Sequence, residues 1–355
     1  MKAVALESGR LSVVDMAAPT RTAGQILARP LVCGICGSDL HARDNVDHLC
    51  DLLHRAGFRG FMNPSQPAVM GHEFVCEVLE TDSGSPFARG QRVVSLPFVS
   101  GPQGLELIGY SNRFNGAFAE EMLLQSDLTF AVPDHVSTEV GALCEPLAVA
   151  VHAVAQSQPD EHCAFSIIGC GPVGLFIIAR LRALGLGPIL AIEPNAARRK
   201  MAEQMGADAV MAPADPDAAR WWEGQGLYLG LSDSIERAMD PKNRTRSIIF
   251  DCVGKPGMLM AIAGGAPVSS TIVTVGNCME TDPIEPAFLL QKGLTIKYVF
   301  AYDAQEFVDA LEMIKQDPDR LASMVTGVTN FAGVAGAFDA LISGGENIKI
   351  LIKPD

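Results

Sequence analysis

Short apolar runs and helix-period stretches divide the chain into two textures. Through about residue 145, β-rich runs at 26–33, 74–80, 92–96 and 117–124 are broken by glycine and proline. Such runs, bounded by turn residues, predict an irregular and mostly antiparallel β domain. From Cys163 onward the pattern changes. Continuous apolar runs at 165–168, 189–192, 248–253, 272–275 and 296–300 alternate with helix-period segments, among them 173–184 and 196–205. Short buried runs spaced by helices predict parallel β-α-β units covered on both faces. A helix is expected at 304–315, where Phe307, Leu311 and Ile314 lie near a 3.6 spacing, and a last strand at 348–352. Two stretches, 45–66 and 213–246, carry mixed charge, glycines and Asn-Pro or Asp-Pro pairs. They read as insertions or mobile loops. Trp221 and Trp222, in the second, suit either a partner contact or a small local core.

Length and charge narrow the function classes. At 355 residues the chain is long enough for two domains. Lys and Arg number 27 against 41 Asp and Glu, a formal charge of −14. That balance argues against a nucleic-acid binder and against docking on anionic lipid. No uncharged apolar run reaches the ~20 residues of a membrane span, and the first residues lack the pattern of a secretory signal. Nine scattered cysteines form no disulfide framework, so a reduced, cytoplasmic setting is expected.

Two constellations carry chemistry. Gly169-Cys-Gly-Pro-Val-Gly174 follows an apolar strand and opens an apolar-periodic helix. That context turns a weak motif into a dinucleotide fingerprint. Gly169 allows the tight turn, Gly171 lets the backbone approach a pyrophosphate, and Gly174 lets helix and strand pack closely. Pro172 loses no hydrogen bond in a first helical turn. Glu193, about twenty residues on, suits the ribose hydroxyls and favours NAD over NADP; Arg198 and Arg199 pull weakly the other way. The second constellation is Cys33-Gly-Ile-Cys36-Gly-Ser38-Asp39-Leu-His41, with Gly71-His72-Glu73 and Cys144-Glu145-Pro146. No second C-x-x-C completes a four-thiolate zinc site, and the pair heads no helix of a βαβ unit as a redox motif would. A single cysteine acting as ligand fits better, because Cys36, His72 and Glu145 supply the three donors of an open catalytic zinc site.

These residues resemble the zinc-dependent alcohol and polyol dehydrogenases of the medium-chain dehydrogenase/reductase family, of the sorbitol, butanediol and threonine dehydrogenase kind. The likeness also rests on the 145–153 run, Asp251-Cys-Val-Gly254 and Lys292-Gly-Leu-Thr-Ile296, and it covers nearly the whole chain. It implies an α/β protein: a GroES-like, irregular β-rich catalytic domain at 1–147, completed by 300–355, and a Rossmann doubly wound domain at 148–299. It implies Cys36 and His72 as metal ligands, with Glu145 at the third position and Glu73 able to sit near the metal or bind it. Asp39 would hold the ligating histidine, and Ser38 and His41 would relay the proton. Pro172, Val173, Arg198, Cys252, Val253, Val275, Gly276, Asn277, Val299 and Phe300 would lie along the cofactor beside the glycines and Glu193. One catalytic Zn²⁺, NAD, a small alcohol or ketone substrate and a homodimer or homotetramer follow from the same likeness.

The chain departs from the family in two places. Residues 95–130 contain no cysteine, so no structural zinc is expected there, and the stretch between His41 and His72 is long for the family. Cys33, Cys50, Cys76, Cys163, Cys170, Cys252 and Cys278 read as buried hydrophobes, and Cys144 as a competitor of Glu145. His48 and His54 read as solvated, and His152 as a packing residue. Two other readings stand beside a zinc- and NAD-dependent oxidoreductase. One is a zinc-free NADPH-dependent reductase on the same scaffold, the other a nucleotide-binding protein without chemistry.

Overall fold

The structure, a computed structural model, describes residues 1–102, 104–239 and 244–354. It divides into two compact units, Met1–Pro146 with Phe307–Asp355, and Leu147–Glu306. The return to the first unit therefore falls after Glu306, whereas the sequence suggested residue 299. Val299 still donates to the carbonyl of Thr274, so the chain leaves the second unit only beyond its last strand.

The first unit is built on a sheet whose neighbours run Thr129–Ala131, Arg92–Ser95, Glu73–Glu80, Gln25–Gly34, Lys349–Ile352 and Val325–Thr329, with Met122–Gln125 also paired to Gln25–Gly34. Alternating buried positions on these strands, such as Ile26, Ala28, Val78 and Met122, form its core. The expected strand at 117–124 is shorter than its apolar run. Ala117 and Phe118 donate to Gly71 and Met70 outside the ladder, and only Met122–Gln125 pairs regularly. In the cysteine-free stretch a hairpin forms, Phe98–Gly101 with Gly104–Leu107. Buried Glu106 anchors it, accepting the Ser111 hydroxyl at 2.6 Å and lying 3.2 Å from Arg113 Nε.

In the second unit six parallel strands lie in the order Ala209–Met211, Ile189–Ile192, Cys163–Ile168, Arg246–Asp251, Thr271–Thr274, Thr295–Tyr298. Strand order reverses between Cys163–Ile168 and Arg246–Asp251. A doubly wound sheet binds its ligand at that point, beyond the carboxyl ends of the strands.

Both expected loops carry helices. Gly37–Arg55 is one helix with a kink at Asn45 (φ −141°, ψ 43°). The break in its pattern there resembles a loop boundary, yet Ala42, Leu49 and Cys50 are buried. In the other stretch lie helices Asp217–Gly224 and Leu231–Ala238; residues 240–243 are outside the described residues. Trp222 is 3 % exposed and meets Trp221 edge-on at 4.8 Å, in a cluster with Ile249, Leu259 and Ile272. The tryptophan pair thus belongs to a core. Asp-Pro pairs and glycines hid these helices because they signal turns before tertiary burial is counted. Among the described residues no helix is long and apolar enough to cross a membrane.

Trp222→Ala should destabilise the second unit by ~3–5 kcal/mol through the cavity it leaves. Urea unfolding followed by circular dichroism measures this, and a loss below about 1 kcal/mol would show the ring to be peripheral.

Candidate metal and nucleotide sites

Strand register builds the first site. Gln25–Gly34 and Glu73–Glu80 run antiparallel with Gly34 opposite Glu73. Cys36 follows the first strand and His72 precedes the second, so both reach the same end of the sheet. Cys36, His72 and Glu73 there each offer a ligand atom, all within 4.8 Å of one another. Among the described residues this is the one such cluster. Glu145, expected as a ligand, stands outside it. It is buried in the first turn of helix Cys144–Ser157, and its charge helps keep Lys349 protonated. Cys144 turns away, its thiol donating to the Phe307 carbonyl at 3.8 Å, and burial, then the Glu145 charge, push that thiol up.

The neighbouring strand adds a residue that the sequence reading missed. Lys349 is 2 % exposed. Its ammonium donates to both Glu73 oxygens, at 2.8 and 2.6 Å, and to the Ile35 carbonyl at 3.0 Å. All three protons are used. Burial alone would depress Lys349, but the charges of Glu73 and Cys36 outweigh it and raise it. A lysine inside the short apolar run 348–352 was the available signal, since a buried ammonium demands a buried partner.

Asp39, fully buried, ties the cluster to the helix Gly37–Arg55. Its Oδ2 accepts the Cys36 amide at 2.9 Å, and its Oδ1 lies 3.5 Å from His72 Nδ1. Burial would lower His72, yet the charges of Asp39 and the Cys36 sulfur hold it well above the ordinary imidazole range. Ser38 and His41 follow on the same helix, three residues apart and hence on one face. His41 is half-buried; burial lowers it and Asp44 offsets part of the effect. The Ser38 hydroxyl lies 2.9 Å from the phenol of Tyr110, a second residue that sequence reasoning missed. Nothing local marks that tyrosine; only the folded hairpin segment brings it here. His48 and His54 are exposed on the outer part of the helix.

The second site lies in the other unit. Gly169 takes φ +91°, and a Cβ on Gly174 would collide with the Gly169 carbonyl oxygen. Beside Gly171 a Cβ would meet no atom within 4 Å, so the backbone faces open space at the start of helix Pro172–Ala183. Glu193 is fixed by two amides, Cys170 on one oxygen at 2.8 Å and Asn195 on the other at 2.9 Å. Arg199 donates to the Glu193 and Pro194 carbonyls at 2.7 and 2.8 Å. Cys252, Val253, Val275, Gly276 and Asn277 follow the neighbouring strand ends, where Val275 and Gly276 both donate to Asp251 O at 2.9 Å. Phe300 is 81 % exposed. His152 does more than pack, for its Nδ1 lies 2.8 Å from Glu306. Cys252 and Cys278 are half-exposed, and the other cysteines read as buried hydrophobes are buried.

Residues 22–134 match the alcohol dehydrogenase GroES-like domain, and residues 172–316 match the zinc-binding dehydrogenase domain. The chain belongs to the zinc-dependent medium-chain dehydrogenase/reductase family, of the alcohol and polyol dehydrogenase type. It is similar to an (R,R)-butanediol dehydrogenase of Bacillus subtilis, 28 % identical over 351 residues and covering 95 % of this chain and 94 % of that protein. A sorbitol dehydrogenase of the same organism is 24 % identical, covering 100 % and 98 %. The crystal structure of 2R,3R-butanediol dehydrogenase from Bacillus subtilis superposes with a TM-score of 0.79 at 26 % identity, covering 100 % of this chain and 99 % of that one.

The residues present fit the groups this family implies. One sulfur, one imidazole and carboxylate oxygens are a zinc donor set. Asp39 and the Cys36 sulfur raise the buried His72, so negative charge gathers where a cation would sit. For the nucleotide, the open space at Gly171 and the free amides of a helix start suit a pyrophosphate.

Replacing Lys349 by Met should cost the metal-free protein ~3–5 kcal/mol, because Glu73 stays buried without its partner. Adding Glu73→Gln should recover part of that loss in urea unfolding. Equal stability of wild type and Lys349→Met would contradict the pairing.

Proposed function

We propose that the protein is a zinc- and NAD-dependent dehydrogenase exchanging hydride with a secondary alcohol, vicinal diol or polyol. One observation carries this reading: the grouped donors Cys36, His72 and Glu73, in a chain whose other unit keeps a dinucleotide fingerprint on a doubly wound sheet. The names of the butanediol and sorbitol dehydrogenase relatives support the substrate class. A homodimer or homotetramer in the cytoplasm is part of the same reading.

Cys36 and His72 would be the fixed ligands. The third would be Glu145 or Glu73: Lys349 donates once to each Glu73 oxygen, which leaves each of them a further lone pair. Zn²⁺, when bound, supplies a Lewis acid that makes an alcohol hydroxyl acidic near neutrality. The chain's own residues then manage the proton. Ser38 accepts it from the alcohol, and His41 takes it toward solvent. Burial keeps His41 below its ordinary range, so it is neutral and able to accept at pH 7. Asp39 orients His72, as ligating imidazoles require. Glu193 would receive the ribose hydroxyls, each of its oxygens keeping a lone pair beyond its amide bond. A 2′-phosphate would meet that carboxylate, and Arg199 spends donors on backbone carbonyls.

The test is reduction of NAD⁺, with NADP⁺ in parallel, across diols, polyols, aromatic and alicyclic alcohols, with metal content measured on the same protein. NADH formation should stop with a chelator and return with Zn²⁺. Cys36→Ser and His72→Ala should lose metal and more activity than the ~10–100-fold of an outer-shell change. Full turnover by metal-free protein, or a preference for NADP⁺, would overturn the reading.

The pH profile gives a second prediction. His41 must be neutral to accept, and burial lowers it, so oxidation should fall on the acid side with a midpoint below ~6.5. Replacing His41 by Gln should lower kcat by up to about 10²-fold and remove that limb. An unchanged acid limb would exclude His41 from the relay.

A further inference from the structure

Tyr110 has no role in the reading above, yet it touches two residues that do. It is 3 % exposed, follows the hairpin of the cysteine-free stretch, and lies against His72 with ring centroids 5.4 Å apart. Phe61, from the segment between His41 and His72, also stacks on it at 5.2 Å and 18°. Its hydroxyl lies 2.9 Å from Ser38 Oγ and 2.9 Å from Asp39 Oδ1. A phenol has one proton for these two neighbours. Asp39 can only accept, and a bond to a charged oxygen is the stronger one. The phenol proton therefore goes to Asp39, and Tyr110 accepts from the Ser38 hydroxyl.

We propose that Tyr110 is a positioning residue that couples the Ser38 hydroxyl to the Asp39–His72 pair, holding Ser38 Oγ with a lone pair open to the alcohol while it fixes the carboxylate that orients the ligating histidine. The proposal rests on the metal-dependent dehydrogenase reading. One proton enters Ser38 from the alcohol and one leaves it toward His41 as the hydroxyl turns from Tyr110; no bond to carbon is made or broken by this residue. The long 42–71 stretch gains a function too, because Phe61 supplies the face on which Tyr110 rests.

Tyr110→Phe keeps the ring stack and removes only the hydroxyl, and thermal melting by circular dichroism controls for folding. Two readouts follow on the zinc-loaded protein. The first is the rate of zinc release to a chelator, which should rise about 10-fold as Asp39 loses its donor. The second is kcat in a double-mutant cycle with Ser38→Ala. Tyr110→Phe should lower kcat with KM little changed in the wild-type background, and should lower it no further once Ser38 is gone. An unchanged zinc release rate overturns the Asp39 arm, and an equal loss of kcat in both backgrounds overturns the Ser38 arm. Wild-type protein that binds zinc but shows no metal-dependent turnover would defeat the dehydrogenase reading itself, and the release rates would still judge the link through Asp39.

Discussion

Negative charge buried at one end of a sheet is the constraint around which the first unit is organised. The register of Gly34 against Glu73 sets a thiol, an imidazole and a carboxylate side by side, with a further carboxylate, Asp39, beneath them. Such a concentration of anionic donors out of water is costly unless cations compensate it. The chain supplies two. Lys349, from the next strand, donates to both Glu73 oxygens and to the Ile35 carbonyl, and the charges of Asp39 and the Cys36 sulfur raise His72. A divalent ion held by Cys36 and His72 would take over the second of these duties, which would link metal affinity to pH. Lys349 would remain paired with Glu73.

The residues proposed for the proton path share one element. The helix capped by Cys36 carries Ser38, Asp39 and His41 within its first two turns, so the proposed ligand, orienting carboxylate and relay would move together. In the second unit the logic is that of backbone rather than side chains. Strand order reverses beside Cys163–Ile168, the fingerprint turn leaves the open space at Gly171, and loop amides fix Glu193 at the end of the next strand. Each unit thus spends its irregular backbone where chemistry is to happen, and leaves regular sheet elsewhere.

Much of this was legible in the sequence, and what was not has physical causes. The parallel strands were readable because buried runs such as 165–168 and 189–192 are apolar at nearly every position, and the fingerprint because its glycines answer to local backbone geometry. Cys36 and His72 came from motif and resemblance together. The helix Gly37–Arg55 was misread at Asn45, where a true kink interrupts its period. The helix Asp217–Gly224 was misread because Trp222 is buried in a core formed with distant strands. Lys349 and Tyr110 could not be found by spacing. One lies at the far end of the chain and reaches Glu73 only through sheet pairing; the other follows the hairpin of the cysteine-free stretch. Glu145 stands outside the grouped donors because it comes from a helix start rather than from the paired strands.

X-ray absorption at the zinc edge of the zinc-loaded protein tests the central claim most directly. A site built on Cys36, His72 and a carboxylate gives a single sulfur at ~2.3 Å with nitrogen and oxygen neighbours at ~2.0–2.2 Å. Two or more sulfurs, or none, would contradict it.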